Sequence, residues 1–74
     1  MEAQDETLIS QLIEHNPELK QLMDTHRKYE SQLDEMNNRP HLTSEDDLER
    51  KRIQKAKLAG KDKIERILAQ HRGQ

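Results

Sequence analysis

The apolar residues of this chain are few, but they are regularly placed. Leu8, Ile9, Leu12 and Ile13 recur at i and i+4 on one broad face, which predicts a short amphipathic helix at about residues 7–15. Beyond Pro17, the residues Leu19, Leu22, His26, Tyr29, Leu33 and Met36 are spaced 3, 4, 3, 4, 3, with Met23 beside them. Such a heptad seam predicts a second helix at about 17–36. A third row, Ile53, Lys57, Gly60, Ile64, Ile67 and His71, is spaced 4, 3, 4, 3, 4 and is flanked by Ala56 and Leu68. It predicts a helix at about 44–70. No stretch alternates with the period of a strand, so the fold class is all-α.

The breaks between these rows have their own chemistry. Asn16 is a good N-cap, and Pro17 suits the first helical position while restraining Asn16 from continuing the preceding helix. Asn37-Asn38-Arg39-Pro40 ends the second helix, because Pro40 cannot continue it and Asn tolerates the left-handed conformation at a helix end. Thr43 and Ser44 are each followed three residues later by Asp, at Asp46 and Asp47. This is a capping box with Asp in place of Glu, and it starts the third helix near residue 44. Two long helices joined by a short turn pack antiparallel. The expected architecture is an antiparallel two-helix coiled-coil-like hairpin preceded by a short N-terminal helix, as one domain over residues 1–74 with frayed ends.

Leu58 breaks the pattern, since at about 100° per residue it lies nearly opposite the seam. Leu48 and Ala59 are also off it. The third helix therefore has apolar character on more than one face. About a dozen large apolar side chains make a small core, for which self-association is the expected remedy. Leu8, Ile9, Leu12, Ile13 and Leu58 are the candidates for a partner surface.

Composition narrows the classes. Of 74 residues, 38% are charged and 30% hydrophobic, with no Cys, Trp or Phe and a single aromatic, Tyr29. Disulfides and thiolate metal sites are excluded. No apolar run reaches the length of a membrane span or signal core, and a cytoplasmic protein is expected. The net charge of −2 conceals an acidic first part, −9 over residues 1–49, and a basic last part, +7 over residues 50–74. Folding back would bring the two together. Lys61 and Asp62 are expected to pair with Glu18, Asp24, Arg27 or Glu30 on the facing helix, setting register more than stability.

Read in order, LISQLIEHNPELKQLMDTHRKYESQLDEM, a loop and LERKRIQKAKLAGKDKIERIL resemble the YdcH-like family of small bacterial proteins of unknown function. The positions that carry the resemblance are Leu8, Ile9, Asn16, Pro17, Leu22, His26 and Leu33, then Ile53, Lys55, Lys57, Leu58, Lys61, Asp62 and Ile64. Gly60 departs from the family's usual Leu, and the Phe residues common in its second helix are missing. The resemblance implies a helical, coiled-coil-like hairpin and no established activity.

Candidate chemistry is sparse. The four His residues, His15, His26, His41 and His71, show no i+3 or i+4 pairing, so no metal ligand set is expected. His26 is read as a seam-edge residue with one nitrogen bonded to a carboxylate and a modest scope for pH sensitivity. No carboxylate pair is set in an apolar context, and no Gly-rich phosphate loop occurs. No enzyme activity, cofactor or small-molecule substrate is therefore expected. The basic run from Arg50 to Lys63 spreads around the helix and lacks interleaved aromatics, although Arg50, Lys51 and Lys55 are the candidates for backbone-only nucleic-acid contact. The functional expectation is a non-catalytic interaction or structural module that binds itself or another protein. Its rival is weak electrostatic nucleic-acid binding.

Overall fold

A computed structural model describes residues 3–72. These form three helices and no strand: α1 (Ala3–Leu12), α2 (Pro17–Asn37) and α3 (Ser44–Arg72), of 10, 21 and 29 residues. The molecule is elongated, 47 × 20 × 17 Å.

The caps explain where the two long helices begin. Asn16 stands in extended backbone, and its side-chain Oδ1 accepts from the Leu19 N–H at 3.0 Å, with Pro17 opening α2. At α3 the capping box closes in both directions. The Asp46 N–H donates to Thr43 Oγ1 at 3.0 Å, and the Thr43 N–H donates to Asp46 Oδ2 at 3.2 Å. Thr43, not Ser44, is thus the cap, and the acids Glu45, Asp46 and Asp47 sit at the positive end of the helix.

Three local expectations need correction. First, α1 spans Ala3–Leu12 rather than 7–15. Asp5 and Glu6 fill its first turn, while Ile13, Glu14 and His15 form a turn that delivers the chain to Asn16. Second, α2 does not end on a left-handed Asn. Asn38 is right-handed, at φ −90 and ψ −3, and no described residue has a positive φ. Its N–H still bonds back to Asp34 and Glu35, and Arg39 then bridges Glu35 at 3.1 Å and Asp46 at 3.4 Å. Third, the expected ion pairs between the bodies of α2 and α3 are not formed among the described residues. Of the residues expected to pair, Glu30 is engaged within its own helix by His26 at 2.8 Å, and the ion pairs near the start of α3 are local, Asp47 with Arg50 and Lys51 and Glu49 with Arg52. An exposed pair between long side chains gains too little to hold Lys61 and Asp62 against α2.

Packing is concentrated at two places. Ile9 of α1, Leu19 and Met23 of α2, and Ile64 and Leu68 of α3 form one buried cluster, with Leu8, Leu12, Ile13, Leu22 and Ile67 packed against it. Leu33 and Met36 of α2 with Ile53 of α3 form the other, flanked by Tyr29 and Leu42. The first part of α2 thus meets the last part of α3, and the last part of α2 meets the first part of α3. Leu19 and Ile64 are completely buried.

The buried row of α2 keeps the heptad at Leu19, His26 and Leu33, with Met23 added, while that of α3 moves off the heptad toward its C-terminal end. Met23 is more buried than Leu22, and Leu68 is buried where Ile67 is half-buried and His71 exposed. An unsupercoiled helix drifts about 20° per heptad, which carries the inward face from the 67/71 row to Leu68. Docking of α1 at that end takes up the widened apolar face.

Gly60 lies inside α3, half-buried, and an added Cβ there would meet nothing within 4 Å. Its backbone is helical and its φ negative, so the glycine costs helix stability and gives no packing in return. Gly60→Ala should therefore stabilise the protein by about 1 kcal/mol. In thermal unfolding the midpoint should rise by roughly 4–8 °C. A fall would show that α3 needs the missing side chain.

Candidate functional surfaces

His26 is the buried polar residue of the described chain, placed by α2 between the two apolar clusters. Its Nε2 lies 2.8 Å from Glu30 Oε1, one turn on. That contact sets the ring proton on Nε2 and leaves the Nδ1 lone pair buried with no hydrogen-bond partner among the described residues. Burial pushes the His26 pKa below its ordinary 6.5. The Glu30 carboxylate opposes the shift, while Lys57 and Lys61 on α3 add to it.

Three hollows border this residue and its neighbours. A groove of about 830 Å³ runs between α2 and α3, with Glu30 and Asp34 on one wall, Lys57 and Lys61 on the other, and Leu33 and Leu58 between them. A smaller one of about 180 Å³ lies beside Gly60, lined by Leu22, Thr25, His26, Tyr29 and Lys57. The third, about 450 Å³, lies where Glu6, Ile9 and Ser10 of α1 meet Met23, His26 and Arg27. Glu30 borders both the first and the third, so α1 covers one half of a face of the α2–α3 pair and the large groove is the other half. Among the described residues, no group of three or more His, Asp or Glu side chains is placed to hold a metal ion.

Eight of the ten seam candidates fall into the two clusters, and His26 and Gly60 lie outside both. Leu19, Leu33, Met36, Ile53, Ile64 and His26 are buried; Leu22, Tyr29, Gly60 and Ile67 are half-buried. The five residues expected to share a partner surface do not. Ile9 is buried in the first cluster, and Leu8, Leu12 and Ile13 pack against it, because α1 is too short to be stable without docking. Leu58 is 63% exposed and lies roughly 15 Å along α3 from Leu68. Of the nucleic-acid candidates, Arg50 and Lys51 are held by Asp47 at 2.7 and 3.0 Å, and these hydrogen bonds, Lys51's first, keep the Asp47 carboxyl below its usual pKa. Lys55 is exposed and has no ion pair among the described residues.

Sequence reasoning missed two contacts. Leu42, in the α2–α3 connection, packs on the second cluster, and Arg72 at the end of α3 is ion-paired with Asp5 of α1. Leu42 is a lone apolar residue between Pro40 and Thr43, the one signal available for it. The Asp5–Arg72 pair had no local signal, since it joins opposite ends of the chain.

Residues 19–68, the span that carries both clusters except for Ile9, match the model of a family described as a protein of unknown function, DUF465. The chain belongs to the DUF465 family. YdcH-like is the other name of this family, so the resemblance read from the residues stands. The family match begins after α1, at the first fully buried residue of α2. No curated protein and no solved structure matches the chain. No helix among the described residues is long and apolar enough to cross a membrane.

The His26 geometry has a pH consequence. A pKa held below 6.5 in the folded state means that the unfolded chain binds the proton more readily. Stability should be complete above 6.5 and decline as the pH falls from there through the folded-state pKa. Thermal unfolding measured from about pH 8 to about pH 5 should show this decline, and His26→Leu should flatten it. An unchanged decline in the variant would assign it to other groups.

Proposed function

We propose that this DUF465 protein is a non-catalytic interaction module of the cytoplasm: an antiparallel, coiled-coil-like helical hairpin, braced by α1, that associates with itself or with another protein. The observation that carries this reading is the exposure of Leu48 and Leu58, at 58% and 63%, on α3. The core has only eight buried apolar side chains among the described residues, yet these two large ones remain outside it. Single exposed leucines are ordinary, but two on one helix of so polar a chain mark a surface that gains by being covered. The absence of cysteine suits a reducing compartment.

The hollows favour the same reading over catalysis. The large groove is open, its walls carry flexible charged side chains of opposite sign, and its apolar part is limited to Leu33 and Leu58. Such a trough suits a protein surface better than a small substrate, which needs enclosure. Nucleic-acid binding is weakened as an alternative because Arg50, Lys51 and Arg52 are partly neutralised by two carboxylates, Asp47 and Glu49.

Light scattering behind a sizing column, over a wide concentration range, tests the reading. A mass that rises above 8.8 kDa with concentration is expected, together with no binding to mixed-sequence duplex DNA at about 0.15 M salt. A monomer at every concentration that binds the duplex, and loses it on substituting Arg50, Lys51 and Lys55 by Gln, would replace this reading with the nucleic-acid one.

A further inference from the structure

The outer face of α3 carries a second row with helical spacing. Leu48, Lys51, Lys55, Leu58, Asp62, Glu65 and Ala69 are separated by 3, 4, 3, 4, 3 and 4 residues. All seven are exposed, and both exposed leucines of the molecule belong to the row. It lies roughly 140° around the helix from the buried row of Ile53, Ile64 and Leu68. The row is therefore distinct from the buried one, and Leu58 stands at its edge, where it also borders the α2–α3 groove beside Leu33.

The order of charges along this row decides what would cover it. On the N-terminal side of Leu58 stand Lys51 and Lys55; on the C-terminal side stand Asp62 and Glu65. The row is thus self-complementary when reversed. Two copies of α3 laid antiparallel about Leu58 place Lys55 opposite Asp62, Lys51 opposite Glu65, and Leu48 opposite Ala69, with the two Leu58 side chains near the axis. Laid parallel, like charges meet. Lys55, Asp62 and Glu65 make no ion pair among the described residues, and only Lys51 is engaged, with Asp47. Arg66 borders the acidic end and reduces its charge.

We propose that this row is the interface of a two-fold dimer, in which α3 of one copy packs antiparallel on α3 of a second copy through Leu48 and Leu58, with orientation set by Lys51 and Lys55 against Asp62 and Glu65. The proposal rests on the interaction-module reading above and names the partner. An antiparallel pair of one helix with itself is isologous and closes, so association stops at two. Two leucines and the stems of two lysines form a small apolar strip. The dimer should therefore dissociate on dilution and weaken with salt.

Charge reversal tests the pairing, with sedimentation equilibrium as the readout and helicity by circular dichroism as the check on folding. The parent should be a concentration-dependent dimer. Two variants should each associate about tenfold or more weakly: Lys51→Glu with Lys55→Glu, which makes the row all acidic, and Asp62→Lys with Glu65→Lys, which makes it all basic. Mixed in equal amounts, the two should form a heterodimer. The chain with all four reversals should regain self-association, because its row is again self-complementary. Asp62 and Glu65 lie outside the capping turn and the buried row, so the second variant keeps the test valid even where Lys51→Glu disturbs the Asp47 pair. A parent dimer unaffected by reversal, or reversed variants that do not pair on mixing, would overturn the α3 interface and leave self-association standing. A parent that stays monomeric throughout would overturn both.

Discussion

Ile9, Leu19, Met23, Ile64 and Leu68 bring three helices to one place, and the rest of the molecule depends on that burial. Burying each such side chain contributes about 1.5–3 kcal/mol. Neither α1 nor the early part of α2 has intrinsic helical stability to spare. Docking of α1 supplies the third wall that lets Leu19 and Ile64 lose all contact with water. The second cluster, around Leu33, Met36 and Ile53, is thinner and draws on a loop residue, Leu42, to close it. Between the two clusters sits His26, tied to Glu30 on one side and bare on the other. The α2–α3 contact is therefore firm at one end, moderate at the other, and polar in the middle.

The charges do not hold the two long helices together. A chain with its acids first and its bases last invites the view that folding back neutralises both. Among the described residues the ion pairs near the start of α3 are local, and the longer-range ones are Arg39–Asp46 across the α2–α3 connection and Asp5–Arg72 between α1 and α3. Surface pairs of this kind are worth little individually. The sign pattern left on the outside of α3 is thereby available to a partner.

Much of this was legible in the residues. Asn16-Pro17 and the Thr43/Asp46 box marked the starts of both long helices, since capping is local chemistry that sequence spells out. Ile53, Ile64, Leu33 and Met36 lie on the seam that the spacing predicts and are buried. Met23 and Leu68 lie only beside the heptad seam yet are buried, because docking of α1 widens the apolar face at that end. The extent of α1 is not legible at either end: its first turn is polar, and the apolar row runs on to Ile13, which lies in the turn beyond the helix. Family membership strengthened what the pattern implied without adding an activity. Among the surface candidates, Leu58 alone kept the exposure expected of a contact residue, since packing of α1 consumed the others.

The measurement that bears most directly on this account is native-state amide hydrogen exchange, residue by residue. If the three-helix cluster is what the fold depends on, the slowest amides should be those of α2 around Met23 and of α3 around Ile64 to Leu68, with the α3 turn around Ile53 exchanging sooner. Protection that peaks instead around Leu33, Met36 and Ile53, with the α1 end open, would contradict it and move the foundation of the structure to the other cluster.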